Sequence, residues 1–452
     1  MLTSLSSVYV TITVKITKFG EANGKIMKRI IYIFLIALCC ILSGCTSKAN
    51  QLDSNTDTPN SEIGVLNYYM LIGKSNENGM YYRKVGANGV QNIKYVDFKT
   101  HTDIFFCNRA ECTHSDETCT SYLSPYAGTA SPTPYGDKLY VIYYGGYGNY
   151  YYDRYGDEAL ARIEVMDLNG ENRRVVRRFK PSESFTGHCA FGENEIYMIM
   201  ETVEENNGET VKKTYLKCYD IETGDEILSD ELDLIAPEIV ARNGEKRELY
   251  IENVDWNDKM ESLSQIGTVV SKYNLDTKEL ATVFATPSRC PSRYYNNYSC
   301  VINTNEKTLT KYNLTTGEST LLCEDLRPGY DVGGIETATN DGVLFYYYED
   351  EDGEDVVLDF FSFEYNKPMN IHIPTTSFTQ YGDIEMNGAP SIAAETDDEY
   401  LIVVNEFLDT ASYYDTQGNL VGMPGKQYRM AFISKENYMN SVPEYTYVDE
   451  MQ

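Results

Sequence analysis

A strand–turn–strand motif recurs along the chain and restricts the fold more than any other feature of the sequence. Its clearest copy, KYNLTTGE at residues 311–318, places Asn and Gly at a turn between two runs of strand-forming residues. Both residues tolerate the positive φ angles that tight turns between strands require. Similar segments occur at residues 166–171, 219–225 and 273–279, with weaker copies at 96–100, 363–366 and 432–436. Self-similarity at such spacings is typical of a repeat architecture.

A second motif alternates with the first. It consists of a polar or acidic turn followed by an apolar or aromatic pair, and it precedes copies of the first motif. Its copies are GDKLY at 136–140, ENEIY at 193–197, KRELY at 246–250, DGVLF at 341–345 and DDEYL at 397–401. Two distinct strand signals in alternation indicate a repeat that contains several strands rather than one.

The composition favours an all-β fold. The chain contains 40 tyrosines, and Tyr, Val, Ile, Phe and Thr suit a pleated, half-buried surface. Long stretches with a 3.6-residue period are missing, so few helices are expected. A four-stranded sheet cannot bury both of its faces alone, but a ring of such sheets can. We therefore predict a β-propeller over residues 63–452, with seven blades of four antiparallel strands and with six or eight blades as alternatives. A β-sandwich pair or a β-solenoid is the competing architecture.

The residues before this repeat region have the features of an export signal. Met27 is followed by Lys28 and Arg29, by an apolar run at residues 30–42 and by small residues up to Cys45. The run is shorter than the roughly 20 residues that a membrane-spanning helix needs, so residues 27–44 are predicted to be a signal peptide. Residues 1–26 are interpreted as an overlong start or an extended n-region.

The segment that ends in Cys45, LSGC, resembles the lipobox of bacterial lipoproteins. The resemblance implies cleavage before Cys45, a lipid on its sulfur and a protein anchored to the extracellular face of the cell membrane. An ordinary secretory signal and an uncleaved anchor are the alternatives. Residues 45–62 are rich in Ser, Thr, Asn and Asp, which is typical of a flexible tether.

The formal net charge of −30 excludes some partners. Nucleic-acid-binding proteins need basic patches, so no nucleic-acid partner is expected. The charge also disfavours a protein that lies flat on anionic lipid. A solvated acidic surface explains the balance, and a cationic partner or bound calcium is the alternative.

The sharpest local signal is a cysteine–histidine cluster at residues 107–119. Three thiols and an imidazole, the ligand types of a closed structural zinc site, occur at Cys107, Cys112, His114 and Cys119. The four-residue gap between the first two cysteines differs from that of common zinc fingers. Exported proteins also form disulfides, so zinc, disulfides and free thiols all remain open. Zinc is the only cofactor that the sequence predicts.

With this cluster, the lipobox, and strands such as residues 137–140 and 312–317, the chain resembles uncharacterised β-propeller lipoproteins of anaerobic Gram-positive bacteria. The resemblance implies a propeller fold over nearly the whole mature chain. It implies no biochemical activity, because none is established for that group.

Two further segments are candidates for ligand contact. The tyrosine-rich segment 140–155 has the Tyr, Gly and Asn composition of recognition loops, and its predicted ligand-binding residues are Tyr143, Tyr144, Tyr147, Tyr150, Tyr151 and Tyr152. The alternative is a long hairpin whose tyrosines pack within one blade. The acidic run 349–355 lacks the spacing of an EF-hand loop, so a solvated hairpin turn is preferred over a calcium site.

No catalytic motif stands out. The sequence lacks a nucleophile elbow, an HExxH zinc motif and a P-loop, and its four histidines are dispersed. His188 adjoins Cys189, but neighbours in a strand point to opposite faces. We therefore expect a surface-anchored, non-catalytic propeller that binds an extracellular glycan, peptide or protein. The alternatives are a polysaccharide lyase or hydrolase acting at the propeller mouth, which clustering of His188 with acidic residues would favour, and a structural envelope scaffold.

Overall fold

A computed structural model describes residues 63–65, 73–86, 88–145, 149–206, 209–255, 267–286, 290–348, 356–379, 382–386, 388–415 and 417–450. The predicted start, signal peptide, lipidated Cys45 and tether lie outside these residues, as does the acidic run 349–355. Within the described residues, no helix has the length and apolar character needed to cross a membrane.

The described chain forms seven sheets in sequence order, after a short first strand, β1 (Ile63–Val65). Each of the seven sheets is a blade built from four successive antiparallel strands. Blade 1 has β2 (Gly73–Ser75), β3 (Gly79–Val85), β4 (Gln91–Asp97) and β5 (Thr102–Phe105), and β6 (Tyr122–Leu123) also pairs with β4. Blade 2 has β7 (Ala130–Tyr135), β8 (Lys138–Tyr143), β9 (Arg162–Asp167) and β10 (Arg174–Arg178). Blade 3 has β11 (Glu183–Phe191), β12 (Glu195–Asn206), β13 (Glu209–Asp220) and β14 (Glu226–Glu231).

The remaining blades follow the same order. Blade 4 has β15 (Ile235–Asn243), β16 (Glu248–Asp255), β17 (Gly267–Asn274) and β18 (Leu280–Thr286). Blade 5 has β19 (Ser292–Tyr295), β20 (Tyr298–Asn303), β21 (Thr308–Asn313) and β22 (Ser319–Cys323). Blade 6 has β23 (Asp331–Ala338), β24 (Gly342–Tyr348), β25 (Val356–Ser362) and β26 (Lys367–Met369).

Blade 7 is elaborated. A hairpin of β27 (Thr375–Thr379) and β28 (Gly382–Met386) precedes its four strands, which are β29 (Ile392–Glu395), β30 (Glu399–Tyr414), β31 (Leu420–Ser434) and β32 (Tyr445–Tyr447). The last strand, β33 (Asp449–Glu450), pairs in parallel with β5 of blade 1. Within the described residues, the helical elements are α1 (Asn149–Tyr155), a 3-10 turn (Gly156–Ala159) and α2 (Lys435–Met439). The prediction of an all-β, seven-bladed propeller with four antiparallel strands per blade is thus confirmed.

Both sequence motifs fall at one end of the blades. The first motif joins the third and fourth strands of a blade, and the second motif joins the first and second strands. In an antiparallel meander these two turns lie at the same end, which we name the turn face. The opposite end, the loop face, carries the connections between second and third strands and those between blades.

The first motif owes its sequence to a recurring side-chain hydrogen bond. The Asn313 side chain accepts the backbone N–H groups of Thr315 and Thr316 at 2.8 and 3.0 Å, which forms an Asx turn. The chain then reverses at Gly317, whose φ is 74°. Asp97, Asp220 and Asn274 accept equivalent bonds in blades 1, 3 and 4.

A backbone hydrogen bond ties the two motifs of a blade together. The residue that follows the Asn or Asp of the Asx turn packs its side chain inward. Its backbone N–H donates to a carbonyl in the turn between the first two strands. Leu314 donates to the Asn297 carbonyl at 2.8 Å, and Leu275 donates to that of Arg247 at 2.9 Å. Phe98, Ile221 and Phe363 make the same bond in blades 1, 3 and 6. This shared bond explains why the motifs occur together.

Seven apolar clusters fill the seven interfaces between blades. Successive side chains of a strand point to opposite faces of its sheet. In β8, Tyr140 and Ile142 pack against blade 3, whereas Leu139 and Val141 pack against blade 1. The ring closes because blade 7 packs on blade 1 around Phe432, against which His101 also stacks at 4.0 Å.

We predict that Gly317→Ala destabilises the protein by about 1–2 kcal/mol, the usual cost of a left-handed conformation for an L-residue. A Cβ at Gly317 would also lie 2.6 Å from the Val283 carbonyl oxygen of the preceding blade. The matched control is Lys278→Gly, since Lys278 occupies the same turn position with a φ of 61°. Urea unfolding should show a loss for the first variant and none for the second. Equal stability of Gly317→Ala and the parent would contradict this explanation of the motif.

Candidate metal centre and axial site

The cysteine–histidine cluster lies in the long connection between blades 1 and 2. The connection leaves β5, returns to pair through β6 with the start of β4, and enters blade 2 at β7. This path folds residues 107–119 back on themselves at the loop face. The ligand atoms of Cys107, Cys112, His114 and Cys119 all lie within 4.8 Å of one another.

This geometry suits a tetrahedral metal ion. Metal–sulfur bonds of about 2.3 Å place the sulfur ligands of a zinc ion about 3.8 Å apart. The 3.3 Å between His114 Nδ1 and Cys119 Sγ is already as short as the spacing of two ligands on one such ion. Three thiols and one imidazole also form a donor set that such an ion prefers. The cluster can therefore hold a metal after small side-chain shifts.

Neighbouring side chains orient the cluster. The His114 ring stacks on Phe105 of β5 at 4.2 Å. The His114 carbonyl accepts a hydrogen bond from the Asn92 side chain at 3.1 Å. Ser121 donates to Asn92 at 2.8 Å and contacts Cys119 Sγ at 3.0 Å. Partners of this kind fix the orientation of metal-binding residues.

The thiols of the cluster differ in acidity. Burial raises the pKa of the Cys107 thiol, but hydrogen bonds from Thr120, Arg109 and Cys112 outweigh burial and lower it to about 5. Burial raises the pKa of Cys119 to about 11. Cys107 therefore carries a negative charge more readily than Cys119 does, and thiolates are the ligands that metals bind.

The other cysteines of the described chain are separate thiols. Cys189 lies in the core between blades 2 and 3, and Cys218 lies in the core between blades 3 and 4. The two therefore face different interfaces, although their strands belong to one blade. Cys300 and Cys323 share the core between blades 5 and 6 as thiols.

The tyrosine-rich segment packs against its neighbours. Tyr143 is fully buried, with the Arg162 guanidinium 3.9 Å from its ring centre, and has no exposed surface for a ligand. Within the connection between β8 and β9, residues 149–155 form α1. Tyr151 donates a hydrogen bond to the Tyr414 carbonyl of blade 7 at 2.9 Å, while Tyr152 is 36% exposed.

Tyr144 is half-buried against the core between blades 2 and 3. Tyr147 lies outside the described residues, and only the backbone of Tyr150 is described. The ligand-binding role of this segment stays a prediction.

A second polar cluster lies on the ring axis. The first of the four strands of blades 1, 3 and 5 contacts the first strand of the next blade, and that of blade 7 contacts β2 of blade 1, as expected if the first strands surround the axis. His188 of β11 in blade 3 meets Glu238 of β15 in blade 4, with 2.5 Å between His188 Nε2 and Glu238 Oε1. Lys74 of β2 in blade 1 lies close enough to lower the pKa of His188 electrostatically. Side chains from three blades thus converge.

Strand irregularities accompany these residues. The pairing register of β11 shifts between Thr186 and Cys189, at His188. The register of β15 shifts between Ile235 and Glu238. Such bulges re-aim side chains and are frequent beside functional sites. At a bulge, a polar side chain can point away from the interblade cores in which the neighbouring side chains of the strand are buried.

The environment shifts the protonation of the axial groups. Burial lowers the pKa of His188 well below its usual value and raises that of Glu238 to about 7. Burial likewise lowers the pKa of Lys74 to about 8. The Glu238 side chain is nevertheless 40% accessible, so solvent reaches it amid dense protein. Burial thus favours the neutral forms of both groups, a protonated carboxyl beside a neutral imidazole, over an ion pair.

The axial polar lining continues through blades 4 to 7. Ser292 and Tyr294 of β19 both donate hydrogen bonds to Glu252 of β16, the former at 2.7 Å. Ser391, just before β29, donates to Glu336 of β23 at 3.0 Å. The pKa of Arg293 falls to about 9 through burial, partly opposed by the charge of Glu336. Polar groups in or next to the first strands of blades 4 to 7 therefore lie close to the axial cluster.

Sequence reasoning did not select Glu238, Lys74 or the lining in blades 4 to 7. For His188, the sequence offered two signals: its adjacency to Cys189, which the structure places in an interblade core, and its expected clustering with acidic residues in an enzyme, for which Glu238 is the acidic partner. The available signal was a charged residue inside an otherwise apolar first strand, as in Glu238. That signal acquires meaning only when the first strands are known to face one axis.

Comparisons with known proteins identify no family. No protein-family model matches the chain, and no curated protein matches it. One similar solved structure is Pyrococcus horikoshii acylaminoacyl peptidase, at 10% identity over 82% of this chain and 50% of that chain, with a TM-score of 0.46. A second is the β-propeller domain of the Trilobed protease from Pyrococcus furiosus, at 10% identity over 82% of this chain and 92% of that chain, with a TM-score of 0.43. A third is oligogalacturonate lyase in complex with manganese, at 11% identity over 62% of this chain and 85% of that chain, with a TM-score of 0.30. This chain spans half the length of that acylaminoacyl peptidase. These likenesses concern fold alone.

We predict that Glu238→Gln gains stability relative to the parent as pH rises from about 4.5 to 7. The raised pKa means that folded Glu238 holds its proton more tightly than the unfolded chain does, so the parent loses stability across this window. His188 acts in the opposite direction, but it is present in both proteins. Melting temperatures at several pH values measure the difference. A difference that stays flat across the window would contradict the raised pKa.

Proposed function

We propose that this protein is a lipid-anchored β-propeller on the extracellular face of the cell membrane that binds an extracellular ligand at its axial site. The observation that carries the proposal is the convergence of Lys74, His188 and Glu238 from three blades. Desolvated titratable groups with shifted pKa values are frequent at functional sites. The anchor rests on the lipobox resemblance at Cys45.

The chemistry of the axial groups indicates the kind of ligand. A lysine, an imidazole and a weakly acidic carboxyl offer hydrogen-bond donors and acceptors within one small region. Ser292, Tyr294 and Arg293 extend this polar lining. A glycan or an extended peptide can insert a chain among inner strands, whereas a folded protein surface cannot. We therefore favour a glycan or peptide ligand over a folded protein partner.

The pair of His188 and Glu238 supports a second candidate function, that of a lyase or hydrolase. A neutral imidazole can accept a proton and a protonated carboxyl can donate one, as general acid–base catalysis requires. Near neutral pH Glu238 titrates, because its pKa is about 7. The pair is therefore suited to proton transfer, if the bound ligand places a reactive bond beside it.

One binding experiment tests the primary function and separates it from the second. Residues 47–452 form one compact unit, and this fragment can be titrated calorimetrically with a panel of oligosaccharides and peptides. We predict that Glu238→Gln weakens binding about tenfold, the effect of one lost hydrogen bond to a polar ligand. The exposed turn residue Glu318, changed to Gln, is the matched control.

Three results are informative. Weaker binding in Glu238→Gln alone, with the ligand recovered intact, supports recognition. Recovery of shortened or unsaturated ligand, lost in His188→Ala, supports the enzyme. Ligand affinity unchanged in Glu238→Gln would refute an axial site, and a loss with Tyr152→Ala would place binding at the tyrosine-rich segment instead.

We also propose that Cys107, Cys112, His114 and Cys119 bind one zinc ion with a structural role. Four protein ligands leave no open coordination position for catalysis. The ion would pin the connection between blades 1 and 2, which Arg173 of blade 2 also holds through the Thr120 and Tyr122 carbonyls at 3.1 and 2.6 Å.

We predict that native mass spectrometry of the 47–452 fragment shows one zinc, which is lost on denaturation. Cys112→Ser should abolish it and lower the melting temperature, because metal binding contributes directly to folding. The matched control is Cys323→Ser, a half-buried thiol outside the cluster. No bound metal, together with cysteines that resist alkylation, would instead establish disulfides.

A further inference from the structure

Strand β1 lies on the inner edge of blade 4. Its three residues pair antiparallel with β15, and the register is Ile63 with Asn243, Gly64 with Arg242 and Val65 with Ala241. Because β15 is the first of the four repeat strands of its blade and β1 pairs with its edge opposite β16 in the sheet order, β1 lies on the axial side of the blade. This extra strand belongs to none of the seven four-stranded repeats.

The direction of β1 fixes where the preceding chain leaves the ring. β15 runs from the loop face at Ile235 to the turn face at Asn243, where the turn to β16 follows. An antiparallel partner runs the other way, so Ile63 lies at the turn face and Val65 lies farther inside. The preceding chain therefore joins β1 at the turn face.

Glu238 lies on the same strand, on the loop-face side of the segment that β1 covers. The backbone edge of β15 between Ala241 and Asn243 is thus occupied by the protein's own chain. The axial groups and the attachment point of the tether share one strand, about five residues apart, or roughly 17 Å along an extended chain.

We propose that the attachment through β1 turns one end of the propeller, the turn face, toward the membrane. Because β1 also occupies the axis at that end, ligand reaches the axial site from the loop face. Both parts rest on the proposed function: the orientation depends on the lipid anchor at Cys45, and the route of the ligand depends on ligand binding at the axial site. A tether of 17 residues has a mean reach of about 23 Å, which keeps the attached face near the bilayer. The loop face then presents the long connections outward, including α1 and the β30–β31 hairpin, which Tyr155 joins through the Asp415 carbonyl at 2.6 Å.

Energy transfer to a labelled bilayer tests the orientation without native lipidation or a known ligand. The chain from Thr46 onward, with an N-terminal hexahistidine, is bound to vesicles that contain a nickel-chelating lipid and an acceptor dye. A donor is placed genetically at Asp276, an exposed residue of the turn face, or at Asp153, an exposed residue of α1 on the loop face. We expect higher transfer from position 276 than from position 153.

Gly64→Pro tests the role of β1 itself, since proline removes an amide and restricts the backbone of an edge strand. It should abolish the difference between the two donors and speed amide exchange at residues 241–243, whereas Gly64→Ala should preserve both. Equal transfer from both positions in the parent would overturn the proposal, as would unchanged exchange in Gly64→Pro. Normal orientation without any glycan or peptide binding would retain the membrane-facing surface and count against the proposed ligand binding alone.

Discussion

Burial of both faces of every sheet is the constraint on which the rest of this structure depends. A sheet in a ring has a neighbour on each side, so successive residues of a strand serve two different cores. Leu139 and Val141 face blade 1 while Tyr140 and Ile142 face blade 3. Seven such interfaces close the circle, and the last joins blade 7 to blade 1. A single blade would therefore expose both of its apolar faces to water, so each blade depends on its two neighbours for stability.

The same constraint decides where function can reside. Polar groups cannot enter the interblade cores without cost, which leaves the two faces and the axis. One edge of each inner strand faces the axis, with β1 covering part of that edge in β15, and bulges at His188 and before Glu238 turn side chains toward the axis. The axial cluster and the cysteine–histidine cluster therefore occupy places that the repeat leaves available. One lies on the axis, and the other lies in an enlarged connection between blades.

The sequence predicted local features well and long-range contacts poorly. The turn motif around Asn313 depends on side-chain-to-backbone bonds within four residues, so its fold can be recognised without a structure. The ligand set from Cys107 to Cys119 spans 13 residues and was likewise visible. His188 and Glu238 are 50 residues apart and meet only because adjacent first strands converge. Tyr143 was selected wrongly because tyrosine is common both in buried strand cores and in recognition loops, and only the structure shows that this ring is buried.

An axial recognition site requires that the Glu238 carboxyl is desolvated among the inner strands and is still reachable from solvent. A carbon-13 NMR titration of side-chain carboxyls, with the Glu238 signal assigned through Glu238→Gln, measures this directly. We predict a pKa near 7 for Glu238, and a displacement of that resonance when a glycan or peptide ligand binds. A pKa near the usual 4.5, with no response to any ligand that the protein binds, would contradict an axial recognition site.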